Sequence, residues 1–276
     1  MPEPAFSHAI VSGSFDDLRS RDIRFLEEAS RLGALTVVLW PDEAIQAMQG
    51  KRPKFPLAER IYLLNAIRYV GQAIVAPVEV SPDTLPLDNL PAPACWVVTE
   101  GDDTPAKRAF CQSHGVDYHM VRQAELQGFP ALHLSEHSSG HPKVIVTGCY
   151  DWFHSGHVRF FEEASRYGDL YVVVGNDVNV HFLKGEGHPL FPQDERRYIV
   201  QSCRFVHQAL ITSGMGWMDA EPEIDRIKPD IYIVNEDGDR LEKREFCQQR
   251  GIQYVVLKRA PKPGLAPRQS TDLRGF

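Results

Sequence analysis

Two histidines three apart, His154 and His157, bracket Ser155 and Gly156 where an apolar run gives way to a helical pattern. Ser155 suits a helix N-cap, and Phe160, Phe161, Ala164 and Tyr167 then fall on one face at helical spacing. Imidazoles so placed can point at one anion. A helix start offers unpaired N–H groups and partial positive charge, and Gly156 would let a phosphate approach the backbone. The chemistry this suggests is the handling of phosphate. The plainer reading is a pair of solvated histidines capping a surface helix.

The elements that must position this pair follow from the apolar pattern. Val144-Ile145-Val146 reads as a buried strand, Gly148 as the turn after it, and Leu170 to Val174 as a second strand. The full alternation is strand 144–147, helix 157–167, strand 170–174, a helix around 193–206, strand 209–212, a helix around 219–227, strand 231–234, helix 240–250 and strand 254–257. Apolar strands alternating with amphipathic helices imply a parallel sheet covered on both faces. That is a Rossmann-like, doubly wound α/β domain with its site at the carboxyl ends of the strands.

The same order occurs twice. Residues 11–40 overlay 146–175 at an offset of 135, with fifteen of thirty positions identical, and downstream the offset becomes 136. Phe25, Glu27-Glu28-Ala29-Ser30-Arg31 and Gly33 recur as Phe160, Glu162-Glu163-Ala164-Ser165-Arg166 and Gly168. An internal duplication follows. The expected organisation is two tandem Rossmann-like domains, 1–130 and 143–276, joined by a linker over 131–142. A proline-rich surface connection, 81–94, stands in the first copy where the second has an acidic stretch, 219–227.

Composition narrows the function. The 276 residues are 43% hydrophobic and 24% charged, as in soluble globular proteins, and the net charge of -7 argues against a general nucleic-acid-binding surface. No basic leader or membrane-length apolar run is visible, so a cytoplasmic protein without a membrane span is expected. The five cysteines show no C-x-x-C spacing and read as buried thiols. His133, His137 and His141 are spaced as three helical metal ligands would be. Ser138-Ser139-Gly140 and Pro142 disfavour that helix, and no protein metal site is expected.

Gly148-Cys149-Tyr150-Asp151 followed by His154-x-Gly156-His157 resembles the G-T-F-D-x-x-H-x-G-H signature of the cytidylyltransferase-type nucleotidyltransferases. The resemblance implies transfer of a nucleotidyl group to a small phosphorylated acceptor with release of pyrophosphate, which needs alignment and positive charge more than covalent chemistry. By matching position, His154 and His157 would contact phosphate oxygens, and Lys184 would be the loop lysine bridging acceptor and α-phosphate. Arg196 would hold substrate phosphate or remain an exposed helix charge, and Glu236 would stand where the family reads the base. Gly175, Asn176 and Asp177 complete the expected nucleotide contacts. The tail resembles R-T-E-G-I-S-T-T: Ser270 and Thr271 match the pair that grips the outer phosphates, and either Arg259 or Arg268 matches the arginine. Mg²⁺ is expected to arrive with the triphosphate. The resemblance favours CTP; an adenylyltransferase using ATP and a non-catalytic nucleotide-binding regulatory protein are the alternatives.

The first copy keeps Gly13 and Asp16 but has Arg19, Arg21 and Asp22 where the second has His154, Gly156 and His157. Gln49 stands for Lys184, Trp40 for Gly175 and Pro41 for Asn176. A carboxylate about 4 Å from a phosphate repels it by about 4 kcal/mol at an effective dielectric of 20. This copy is therefore expected to be a pseudoenzyme domain that keeps its core and pairs with the second in an intramolecular pseudo-dimer, with further homo-oligomerisation open. The tandem form resembles the ethanolamine-phosphate cytidylyltransferases.

Overall fold

Ala9-Ile10-Val11 and Val144-Ile145-Val146 are wholly inaccessible to solvent, because each lies in the central strand of a sheet covered on both sides. The structure is a computed structural model that describes residues 5–92, 94–131, 139–270 and 273. It divides into two units, Met1–Gly128 and Phe129–Phe276. Phe129 goes with the second unit because its ring stacks on Tyr198 at 5.5 Å.

In the first unit β1 (His8–Gly13), α1 (Ser20–Leu32), β2 (Ala34–Leu39), α2 (Asp42–Gln49), α3 (Leu57–Ala66), β3 (Gln72–Val75), β4 (Ala94–Thr99), α4 (Pro105–His114) and β5 (Asp117–Val121) follow in order. The second unit runs β6 (Lys143–Gly148), α5 (Ser155–Ala164), β7 (Asp169–Val174), α6 (Asp177–Lys184), α7 (Gln193–Ser202), β8 (Gln208–Ile211), α8 (Glu221–Ile227), β9 (Ile231–Asn235), α9 (Leu241–Arg250) and β10 (Gln253–Leu257). The sheet orders are β3-β2-β1-β4-β5 and β10-β9-β6-β7-β8, all parallel. Both units are doubly wound, and strand order reverses at β1 and at β6. A ligand site is favoured at the carboxyl end of that strand.

Several local expectations need correction. The segment 177–184 is a helix, because Asn176 caps it by accepting the Asn179 N–H at 2.8 Å and Gly185, at φ 81°, stops it. Lys184 therefore ends a helix instead of sitting in a loop. Helix α5 gives way at Ser165 to a 3₁₀ turn through Tyr167, which leaves Tyr167 exposed instead of on the buried face. Cys149 is half-buried, whereas the other four thiols are buried.

One buried guanidinium organises the loops at the carboxyl end of each sheet. Arg196 donates Nε to the Phe191 carbonyl at 2.8 Å, Nη1 to the Cys149 carbonyl at 2.6 Å, and Nη2 to the Gly175 carbonyl at 2.8 Å and to Asp177 Oδ1 at 2.6 Å. Arg60 makes the corresponding bonds to the carbonyls of Phe55, Ser14 and Trp40 and to Asp42. Asp151 accepts the N–H groups of Leu190 and Phe191, as Asp16 accepts those of Lys54 and Phe55. Arg196 is thus neither exposed nor placed to grip phosphate, since its donors hold three loops together. Removing it orphans buried carbonyls, so Arg196→Met and Arg60→Met are each expected to cost about 3 kcal/mol. Urea denaturation of the two variants checks this, and unchanged midpoints would refute it.

The block repeated in the two units has a local explanation. Arg24 pairs with Glu27 and Glu28, and Arg159 pairs with Glu162 and Glu163. Ser30 and Ser165 donate to the carbonyls three residues back. A Cβ at Gly33 would lie 2.7 Å from the Phe6 carbonyl oxygen, and one at Gly168 would lie 2.0 Å from that of Pro142. Packing inside each unit therefore accounts for the repeated block.

Candidate functional site

Helix α5 is capped by a histidine and not by Ser155. His154 has the extended backbone of an N-cap, and its Nδ1 accepts the Gly156 N–H at 3.1 Å, so Nε2 carries the ring proton. The His154 and His157 rings stack with centroids 4.0 Å apart. His157 also stacks on Phe153 at 5.8 Å and meets the edge of Tyr150 at 5.2 Å. Nε2 of His154 and Nδ1 of His157 are buried without a hydrogen-bond partner. An unpaired buried polar group costs about 1–3 kcal/mol, a cost that a bound ligand would remove.

Gly156 does not leave its N–H free for phosphate. A Cβ there would stand 2.9 Å from Cε1 of His154 and 3.5 Å from the Arg268 carbonyl oxygen. Its missing side chain makes room for the imidazole and for the tail. That packing sets the protonation state: burial, then the charges of Arg259 and Arg268, push the His154 pKa down to about 3. Burial, then His154, Arg259 and Lys184, hold His157 well below the usual range. Both rings are neutral hydrogen-bonding groups at neutral pH.

Three cations surround them. Lys184, at the end of α6, adds its charge to those that lower the His157 pKa and acts on Cys149, whose thiol burial pushes up while the Lys184 and Arg196 charges oppose the rise. Arg259 pairs with Asp237 and donates Nη2 to the Arg268 carbonyl at 3.4 Å. The tail is fastened to the histidine turn by Ser270, whose Oγ donates to the Trp152 carbonyl at 3.2 Å. A hollow of about 180 Å³ opens there, lined by Gly156, Arg159, Asn235, Arg259 and Arg268 among others. Thr271 lies outside the described residues, as do His133 and His137. Among the described residues no group of three His, Cys, Asp or Glu side chains could hold a metal ion, and no helix is long and apolar enough to cross a membrane.

The other side chains expected to touch nucleotide make bonds or packing contacts within the scaffold. Tyr150, at φ 53°, folds its ring over Gly148 and is buried. The Asn176 amide donates to Thr212 and to the Gly214 carbonyl, and Asp177 holds Arg196. Asp151 is occupied by the 190–191 backbone. Glu236 accepts the Arg259 N–H at 3.3 Å, as Glu100 accepts that of Gln123 at 2.9 Å. Gly175 donates its N–H to the Gly148 carbonyl at 2.9 Å, and a Cβ on it would meet Val180 at 3.1 Å.

Residues 145–273 match the model of the cytidylyltransferase-like family. The chain is 36% identical over 119 residues to the FAD synthase of Ferroglobus placidus, a match covering 42% of this chain and 74% of that protein. It is 35% identical over 119 residues to the FAD synthase of Aciduliprofundum boonei, covering 42% and 76% respectively. The bifunctional protein HldE of Campylobacter concisus is 36% identical over 100 residues, which are 36% of this chain and 21% of that protein. The chain belongs to the cytidylyltransferase-like family. It is therefore a nucleotidyltransferase by family, and the matched region is the second unit.

At the corresponding place, the first unit has different side chains on a sheet of the same strand order. Asp22 accepts the Arg19 N–H at 2.8 Å and caps α1, while Arg19 pairs with Asp17. Trp40 lines a cavity of about 500 Å³ with Asp22, Asp102 and Arg21.

The neutral histidines make stability depend on pH. An unfolded histidine gains its proton near pH 6.5, whereas folded His154 does so only near pH 3, so protonation favours the unfolded chain between those values. Stability is intact above pH 6.5 and falls below it by up to about 1.4 kcal/mol per pH unit for each such histidine. Urea midpoints at pH 7 and pH 5 should show a loss that His154→Gln reduces. An unchanged pH dependence in His154→Gln would contradict the buried neutral ring.

Proposed function

We propose that the second unit transfers an adenylyl group from ATP to a phosphorylated acceptor. The acceptor phosphate oxygen would attack the α-phosphorus, the bond from that phosphorus to the bridging oxygen would break, and pyrophosphate would leave with the electron pair. The observation that carries this reading is the pair of stacked, neutral imidazoles with unpartnered buried nitrogens, surrounded by Lys184, Arg259 and Arg268. His154 would donate through Nε2–H to an oxygen that gains charge in the transition state, and the three cations would neutralise the acceptor phosphate and the leaving group. Mg²⁺ bound to the triphosphate would screen its charge. The nitrogen-rich site suits an ion carried mainly by phosphate oxygens and water.

Adenylyl transfer is supported by the FAD synthases, because FAD joins an adenylyl group to a flavin phosphate and the match spans most of those proteins' length. CTP is the second reading, supported by the family description. Pyrophosphate release from ATP and from CTP, each with phosphorylated acceptors, tests the proposal. Preference for CTP would overturn the adenylyl assignment, and release from neither would overturn transfer.

His154→Ala and His157→Ala should each lower kcat by about 10²–10³ with much smaller changes in nucleotide affinity. Equal losses in kcat and affinity would make them ground-state ligands. Since both rings are already neutral, kcat/KM should not fall as pH rises from 6 to 8, whereas a site needing an imidazolium would lose activity above about pH 6.5. The pH profile of kcat/KM under saturating acceptor distinguishes the two.

A further inference from the structure

The cavity of the first unit lies where the strand order of its sheet reverses. Strands β1 and β4 pair with each other only over His8–Ile10 and Ala94–Trp96. The cavity opens at the ends beyond that pairing, at Ser12 and Gly13 on one side and Val97 to Thr99 on the other. Its volume of about 500 Å³ is in the range of small-molecule sites. The carboxyl ends of strands at such a reversal are where doubly wound sheets hold ligands.

The repeat separates what the scaffold needs here from what belongs to this cavity alone. Gly13, Phe15, Phe25 and Lys107 line the cavity and have Gly148, Tyr150, Phe160 and Lys243 at the same offsets in the second unit. Packing explains them: the Phe15 ring lies 3.2 Å from where a Cβ on Gly13 would stand, and Nζ of Lys107 and of Lys243 sits 5.9 and 5.8 Å from the rings of Trp96 and Tyr232. Arg21, Asp22, Trp40, Gln49 and Asp102 also line it, where the second unit has Gly156, His157, Gly175, Lys184 and Gly238. The second sheet forms without them, so this frame does not require them.

These exchanges turn the cavity away from phosphate. Asp22 puts a carboxyl group at the start of α1, where it accepts the Arg19 N–H at 2.8 Å, and Gln49 puts an amide in place of the lysine charge. They turn it toward a flat, polar and uncharged molecule. Trp40 brings an indole to a place where the second unit has no side chain, and its Nε1 is buried without a hydrogen-bond partner, so no polar bond to the protein accounts for the ring. Asp102 is exposed and accepts the Thr99 hydroxyl at 2.6 Å, and a carboxylate has acceptor sites for further donors.

We propose that this cavity binds an unphosphorylated nucleoside, with Trp40 stacking on the base and Asp102 accepting from the sugar hydroxyls. The first unit is then a ligand-binding domain with its own specificity, whatever reaction the second unit performs.

The test is calorimetric titration of the full chain with adenosine, guanosine, cytidine and uridine, and with their 5′-triphosphates. At least one nucleoside should bind with one site per chain, and saturating ATP or CTP should leave that titration unchanged. Trp40→Gly should weaken it at least about tenfold, since stacking of a base on an aromatic ring is worth that much, and Trp40→Phe should retain most of it. Asp102→Gly, at an exposed position that is glycine in the second unit, should weaken it about tenfold and reads the site even if Trp40→Gly does not fold. His157→Ala should leave it unchanged. Binding of no nucleoside, displacement by a triphosphate, loss in His157→Ala, or wild-type affinity in Asp102→Gly or in folded Trp40→Gly would each overturn the proposal.

Discussion

The buried guanidinium of Arg196 is the constraint on which the second unit's site depends. It joins the turn after β6, the end of β7 and the segment before α7, through the carbonyls of Cys149, Gly175 and Phe191. These are the loops that carry the histidines and the start of α6. A charge buried to 1% exposure is tolerable only because its donors meet fixed acceptors and Asp177 supplies the counter-charge. Several backbone oxygens are thereby satisfied by a single side chain, and the loops at the carboxyl end of the sheet acquire fixed relative positions. Such preorganisation matters for a reaction whose catalysis is mostly alignment and charge.

Duplication separates scaffold from chemistry within one chain. Arg60, Asp42 and Asp16 make the same bonds in the first unit as Arg196, Asp177 and Asp151 make in the second. Glu100 and Glu236 likewise hold equivalent backbone groups after β5 and β10. Residues present in both copies can therefore be explained by folding alone. Those present only in the second copy, His154, Gly156, His157 and Lys184, do not repeat in the first and converge on one spot.

This is why the fold was legible in the sequence while parts of the site were not. Buried β-branched runs and a repeat at nearly constant offset announce parallel sheets directly. The spacing of His154 and His157 likewise pointed to two rings that the structure stacks at the start of α5. Motif position alone, however, cannot say whether an arginine faces ligand or backbone, and Arg196, Asp151 and Asn176 turned inward. Helix α6 was missed because its flanking Gly175-Asn176 and Gly185 resemble a loop; Val178 and Phe182, one turn apart, were the available signal. The capping role of His154 depends on a ring nitrogen accepting an N–H two residues on, a bond that residue preferences for Ser155 concealed.

The protonation of the pair follows from the same packing. Stacking two imidazoles at 4.0 Å, beneath Tyr150 and Phe153 and near three cations, makes two positive rings costly at once. A neutral ring can still donate one hydrogen bond, and it has less hydration to lose when a phosphate displaces water. The surrounding lysine and arginines carry the charge on longer side chains, where it can meet a large anion without being fully buried beforehand. In the proposed reaction the work would be divided: neutral donors packed at the helix start would set position, while the cations around them would supply charge. An arrangement with both histidines protonated would need a buried counter-ion before substrate arrived, whereas this one presents unpaired nitrogens that a phosphate oxygen can satisfy.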